Sequence, residues 1–493
     1  MKYFEQSCER FPHRIAVSDR HTALTFSELR KKAQAIAALL RTTQYNQPVG
    51  VFANRTVQPI IRYLAVLYSG NFYVPLDPEL PAEKLQSILQ DTGFPYILGD
   101  ASDADRLAEV AYSGVYIDTE NASLTAEEKT VLPTVGDDDP VYMVYTSGST
   151  GKPKGVLKSH ASVCSYIEAF CDTFSFDEEE VIGNQTPFFF DASAKDFFLM
   201  LKTGAELHVI PTEKFSMPTE LIEYMNQRKI TYACWVPTAI SIVAQMNPFS
   251  LVKPEYLRRL FFVGEVMPVK HLNKWRCALP DLQYVNLYGQ SELAGICCYY
   301  EVSGALDDAD ALPLGIPLAN SRIYLMDADA VITEPHKTGE LYIVSSALAL
   351  GYYRDAEKTA QSFLWKDFGN GPERCFRTGD LAYYDANGNL MFASRSDYQI
   401  KHMGHRIELG EIETVADSLP QIERCCCIYN PERRKIVLFC SLENGKEATE
   451  QEIKSALKAK LSAYMVPGKV KILERLPVNA NGKIDRQTLK GQL

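Results

Sequence analysis

Residues 145–156 read YTSGSTGKPKGV, which crowds four hydroxyl side chains (Thr146, Ser147, Ser149, Thr150), three glycines including Gly148, and two lysines including Lys154 into a dozen positions. Backbone N–H groups, hydroxyls and ammonium groups in such density suit the oxygens of a phosphate. The same composition also suits a flexible linker. The stretch follows the apolar run PVYMVY and is followed by a valine and then a helix-like segment, which favours an anion-holding loop. It is not a GxxxxGK[ST] loop, and no GxGxxG occurs.

Further clusters follow in order. NLYGQSE (286–292) sets Tyr288 beside Gly289 and ends in Ser291 and Glu292. A ring against glycine backbone stacks a flat base, and a carboxylate there suits Mg2+. RTGDL (377–381) offers Asp380 at a turn, an acceptor pair for ribose hydroxyls. SRSDYQIKHMGHRIELGEIE (394–413) mixes Arg395, Lys401 and Arg406 with a run that becomes helical, and NGKIDR (481–486) puts Lys483 in a turn. Taken singly, each also reads as a turn, a capped helix or a solvated charge.

Elements must bring these clusters together. At 493 residues the chain is too long for one core, so more than one domain is expected. Its 46% hydrophobic and 23% charged residues are an ordinary globular balance, and a net charge of −11 argues against nucleic-acid binding. A bound anion therefore needs a local positive patch. No apolar run approaches the roughly 20 residues of a membrane helix, and MKYFEQSCERFPHR lacks a signal-peptide core, so a cytoplasmic location is expected. Twelve cysteines, with 297–298 and 425–427 adjacent and no CxxC, read as small reduced core residues.

Strand-like PVYMVY, AELHVIP and ITYACWVPT alternate with helix-like 159–174, where Ser159 is a possible cap, and TELIEYMNQRK. This alternation predicts parallel sheets covered by helices. From about 305 to 395 short strands and turns take over, including an Asn387-Gly388 hairpin turn, and the last hundred residues return to a small mixed pattern. The boundary is expected near 394–399, giving a core over 1–395 and a C-terminal domain over 396–493.

In order and wording these motifs closely resemble the ANL superfamily of adenylate-forming enzymes, over nearly the whole chain. The likeness is strongest to amino-acid adenylation domains of nonribosomal peptide synthesis and to D-alanine:carrier-protein ligases, through RTGDL, the run from Gln399 to Glu413, NGKIDR and FVGEVMP (262–268). The resemblance implies an α/β fold: two parallel-sheet subdomains, a small β-barrel-like subdomain, and a small mobile α+β C-terminal domain. It implies attack of a substrate carboxylate on the α-phosphorus of ATP with Mg2+, then transfer of the acyl group to a phosphopantetheine thiol. Thr146, Ser147, Gly148, Ser149, Thr150 and Lys154 then hold the β- and γ-phosphates. Gly264, Glu265, Val266, Tyr288 and Gly289 frame adenine, Asp380 and Arg395 take the ribose, Ser291 the α-phosphate and Glu292 Mg2+. Lys483 bridges carboxylate and α-phosphate. Asp397 matches a hinge about which the C-terminal domain swings, bringing 399–406, with Lys401 and Gly404, to the site. Many acyl-CoA synthetases carry lysine at that hinge, so Asp397 tilts toward carrier-dependent ligases.

By the same resemblance the acid pocket comprises Asp191, Ala192, Lys195, Cys234, Phe261, Val263, Leu287, Gly295 and Ile296, with Asp191 answering the α-ammonium of an amino acid. Lys195 either answers an acidic, glutamate-like side chain, or turns outward or pairs with Asp196. The bulk of Phe261 and Leu287 equally suits a small pocket for alanine. Gln290-Ser291 stands where the family commonly has Pro-Thr, and Leu350 where many relatives have arginine. No HHxxxDG motif occurs, and ADSL (416–419) falls inside a helix-like run. The chain reads as a free-standing ligase or an excised domain whose carrier protein arrives in trans. A CoA ligase for a fatty or aryl acid, or a non-catalytic nucleotide-binding homologue, are the alternatives.

Overall fold

The computed structural model describes residues 1–40, 45–120, 135–146, 153–328, 330–369, 371–395, 399–443, 445–477 and 484–493. Among them two largely parallel sheets form the bulk of the chain. The first runs, edge to edge, through Ile316–Pro317, Ile296–Glu301, Gln283–Gly289, Arg259–Val263, Tyr232–Trp235, Val181–Asn184, Glu206–Val209, Ile15–Ser18 and Ala23–Thr25. The second runs through Gly351–Tyr352, Lys154–Ser159, Pro140–Thr146, Phe72–Leu76, Pro48–Phe52, Tyr96–Gly99 and Val115–Asp118. Helices such as His160–Phe174 and Asp191–Thr203 supply apolar faces to a continuous core shared by both sheets. Ser159 caps the former, its hydroxyl accepting from the Ser162 N–H.

The glycine-serine stretch sits differently from the strand-to-helix placement expected of it. Lys154–Ser159 is itself a strand, antiparallel to Pro140–Thr146, with Thr146 opposite Lys154. The stretch therefore connects a β-hairpin, and the helix starts only after the second strand. Residues 147–152, and with them Ser147, Gly148, Ser149 and Thr150, lie outside the described residues.

A third sheet is antiparallel. It runs Ala330–Ile332, Ser321–Asp327, Gly339–Ser345, Pro372–Tyr384 and Phe363–Asp367, and Leu390–Arg395 folds back on Pro372–Tyr384. Gly388 makes the turn at φ +80°. The expected boundary at 395/396 falls beside residues 396–398, which are not described. Beyond it come a small hairpin, Gln399–His402 with His405–Glu408, and a three-stranded sheet of Ile422–Asn430, Lys435–Leu442 and Lys469–Ile472 with a core of its own. Cys425 and Cys427 face that core while Cys426 faces the opposite side of the sheet, as strand alternation requires. No described helix is long and apolar enough to cross a membrane.

Buried His208 joins the edge of the first sheet to its helices: Nδ1 lies 2.6 Å from the Ser18 hydroxyl and Nε2 2.9 Å from that of Tyr224. Burial lowers its pKa to about 4. The unfolded chain, with histidine near 6.5, binds the proton first, so folding stability falls as pH drops below about 6.5 and levels near the folded value. This group alone contributes about 3 kcal/mol to that loss. Urea melts between pH 7 and 4 should show it, with a shallower slope for His208→Gln.

Candidate active site

Asp380, on the long strand Pro372–Tyr384, is 1% exposed and fully engaged. Oδ2 accepts from the Tyr288 hydroxyl (2.5 Å) and from Gln290 Nε2 (2.6 Å), and Oδ1 from Arg395 Nη1 (2.6 Å). Strand pairing sets Arg395 directly opposite Asp380. Gln290, the residue in place of proline, thus has a defined job: it fixes the carboxylate from the turn that follows the Tyr288 strand. Lys401 stands 5.5 Å over the Tyr288 ring, covering the face on which a base was expected to stack. Burial lowers the Lys401 pKa, with Arg395 and Arg406 acting in the same direction.

Glu292 is fully buried, and both its oxygens are occupied. Tyr352 donates to Oε1 (2.8 Å) and Arg406 Nη1 to Oε2 (2.5 Å). The guanidinium and these hydrogen bonds outweigh burial and lower the Glu292 pKa. A buried carboxylate of this kind fits Mg2+ and would supply it one oxygen. Oε2 becomes available only when Arg406 withdraws. Ser291 precedes it, half-buried.

Arg406 belongs to the C-terminal hairpin, which is inserted over the site. Gly404 lies at its turn with φ +81°, and a β-carbon there would stand 2.6 Å from Val236. Its N–H donates to Glu265 Oε1 (3.0 Å), while Glu265 Oε2 accepts from the Thr238 N–H and hydroxyl. Glu265, expected beside adenine, therefore ties the hairpin to the first sheet. Gly264 before it has φ +99°, and Val266 after it is exposed. Lys154 reaches Glu408 at 3.5 Å, and Lys84 pairs with Glu411 at 2.6 Å. His405 stacks on Tyr464 and meets Phe190 edge-on. Thr146 Oγ1 is buried and makes no hydrogen bond among the described residues. Asp397 and Lys483 lie outside the described residues.

The acid pocket begins at the first turn of Asp191–Thr203. Asp191 already has a cation: Lys158, 0% exposed, forms an ion pair with its Oδ1, and the Tyr142 hydroxyl donates to the same oxygen at 3.0 Å. Lys158 Nζ also lies 3.1 Å from the Tyr142 hydroxyl. Among the described residues no hydrogen bond reaches Asp191 Oδ2. Ala192 is exposed beside it. One turn on, Lys195 is buried rather than turned outward, and pairs with Asp196, whose other oxygen accepts from Asn184 Nδ2 (3.0 Å). The ion-pair alternative is the one found for Lys195, whose ammonium is already partnered. Cys234, Phe261 and Leu287, from three neighbouring strands, are buried in the shared core with Ile296, and Val263 packs against it.

Tyr166 takes the place of a side chain at Gly295, where an added β-carbon would meet its ring at 2.4 Å. Lys158, Tyr142, Tyr352 and Tyr166 were not singled out from the sequence. The signal for Lys158 was present. Within the strand it shares Val156's inward face, so a lysine in phase with buried residues marks a buried cation.

A buried Asp380–Tyr288–Arg395 cluster, a lone buried carboxylate at Glu292 and a C-terminal hairpin inserted between them define a two-part enzyme of the adenylate-forming class. The chain belongs to the AMP-binding enzyme family: the family model matches residues 4–353, and the model of the AMP-binding enzyme C-terminal domain matches 411–483. It is 32% identical to tyrocidine synthase 1 of Brevibacillus parabrevis over 99% of this chain and 44% of that protein. It is 33% identical to tyrocidine synthase 3 of the same organism over 98% of this chain and 7% of that protein. The chain thus spans less than half the length of these curated relatives. Among solved structures it is similar to holo-PA1221, an NRPS protein containing adenylation and PCP domains (TM-score 0.85, 25% identity, 100% of this chain and 84% of that one). It is an adenylation domain of the ANL superfamily, similar to those of nonribosomal peptide synthetases.

Proposed function

We propose that this chain activates an amino acid with ATP and passes it to a carrier protein acting in trans. In the first step a carboxylate oxygen attacks the α-phosphorus, the bond to the β-phosphate oxygen breaks, and pyrophosphate leaves. The substrate is itself the nucleophile, so the protein's share is positioning and charge neutralisation. Asp380 with Arg395 orients the ribose, the 146–154 loop holds the departing phosphates, Ser291 the α-phosphate, and Glu292 the Mg2+. Bound Mg2+ supplies charge neutralisation on the phosphates. Lys483 is assigned to the bridge between carboxylate and α-phosphate. In the second step a phosphopantetheine thiol attacks the acyl carbonyl, AMP leaves, and the thiol proton passes to solvent. The hairpin carrying Lys401, Gly404 and Arg406 serves that step, and Asp397 is the proposed hinge.

The observation that carries the amino-acid reading is Asp191, a partly exposed carboxylate at the start of its helix whose Oδ2 has no hydrogen bond among the described residues. A second reading has one observation in its favour. Lys158 already neutralises Asp191, which suits an acid lacking an amino group. ATP–pyrophosphate exchange over the amino acids and a set of aryl, fatty and hydroxy acids tests both. Exchange with amino acids is expected; exchange confined to acids without an amine overturns the first reading.

A further inference from the structure

Two tyrosines have no part in the roles assigned above. Tyr166, on helix His160–Phe174, and Tyr232, on strand Tyr232–Trp235, are 1% and 0% exposed, yet neither hydroxyl makes a hydrogen bond among the described residues. Beside the Tyr232 hydroxyl stand the Cys234 thiol, a weak partner at best, and then Asp196 and Tyr166. Native folds rarely leave a buried hydroxyl without a partner, because its lost hydration is not recovered.

Both residues adjoin side chains assigned to the acid pocket. Strand alternation puts Tyr232 on the same face as Cys234, its ring 5.3 Å from Phe261 and 5.4 Å beneath the Lys195 ammonium. The hydroxyl end of the Tyr166 ring fills the space above Gly295, 2.4 Å from where a β-carbon would stand. The phenol of one helix thus replaces a side chain missing from the opposite wall.

Charge narrows the ligand. Lys195 is the pocket cation, and Asp196 cancels it. An incoming side-chain carboxylate would be buried without a net counter-charge. An apolar side chain would leave both hydroxyls unpaired. A neutral group that donates and accepts satisfies both, and the bulk of Phe261 and Leu287 keeps it short. Resting on the amino-acid reading above, we propose that Tyr166 and Tyr232 are specificity-determining residues. They select an amino acid whose short, neutral side chain ends in a hydroxyl or carboxamide over apolar and acidic ones.

The test is ATP–pyrophosphate exchange by the whole chain with serine, threonine, asparagine, alanine, valine, aspartate and glutamate. One of the first three is expected to exceed alanine and glutamate at least tenfold in kcat/KM, with serine and asparagine separating hydroxyl from carboxamide. In Tyr166→Phe and Tyr232→Phe the ratio of that amino acid to alanine should fall about tenfold, chiefly through KM. Thermal melts of both variants establish that they are folded. Strongest exchange with alanine, valine or an acidic amino acid overturns the proposal, as do unchanged ratios in both folded variants. Exchange with no amino acid, but with an acid lacking an amine, removes the amino-acid reading itself.

Discussion

Replacing Lys158 with methionine is expected to lower folding stability by about 3 kcal/mol and to change which acids the enzyme activates. Lys158 is wholly buried, and its ammonium is shared between Asp191 and Tyr142. Methionine fills much of the same volume but strands the Asp191 carboxylate beside buried apolar groups. Removing one partner of a buried pair costs about 3–5 kcal/mol. The Asp191 side chain is 17% exposed, so the lower end applies. Adding Asp191→Asn should recover most of the loss, because the stranded charge goes with it. The activity readout is separate. With Lys158 gone, the full charge of Asp191 faces the substrate, so KM for an α-amino acid should fall severalfold while the double variant binds it poorly. Denaturant melts and exchange kinetics on the three variants check both halves. A rise in KM for amino acids in Lys158→Met would mean that the lysine, not the aspartate, contacts the substrate.

The Asp380 cluster was legible because its residues lie in short contiguous motifs whose local turns fix the side chains: RTGDL places Asp380, and the Arg395 strand returns directly opposite it. The alternation of strands and helices likewise announced the parallel sheets. The glycine-serine stretch was misplaced because GVLKS is too short to register as a strand beside so strong a helix. Reading that segment as a lead-in hid the period-two signal that turns Lys158 inward. Tyr166 was hidden differently. Val163, Tyr166, Ile167, Phe170 and Phe174 form one buried helical stripe, so spacing alone makes Tyr166 an ordinary core residue. Only the absence of a side chain at Gly295, 129 positions away by number, turns its hydroxyl end into pocket wall. Pairings between distant segments, such as Glu292 with Arg406, leave no local pattern at all.

That pair carries the second large effect. Arg406→Ala is expected to lower carrier loading about tenfold to a hundredfold while pyrophosphate exchange at saturating Mg2+ changes far less. The guanidinium occupies Glu292 Oε2 at 2.5 Å, so hairpin and Mg2+ cannot hold the same oxygen together. With Mg2+ at Glu292 as proposed, the two would compete for one buried carboxylate, and the ion pair helps to hold the hairpin over the site. Without Arg406 the hairpin keeps the Gly404–Glu265 and Lys154–Glu408 contacts but loses its strongest charged anchor. The inserted arrangement is then populated less. Stability should suffer less than in Lys158→Met, because the hairpin can move off as a unit and let water reach Glu292, whereas Lys158 is part of the buried sheet beside Asp191. The Mg2+ concentration giving half-maximal exchange should fall in the same variant, since the competitor is gone. Arg406→Lys, which keeps the charge without the planar fork, should restore part of the loading rate. Equal losses in exchange and loading would place Arg406 in a role common to both steps and remove the competition between hairpin and metal.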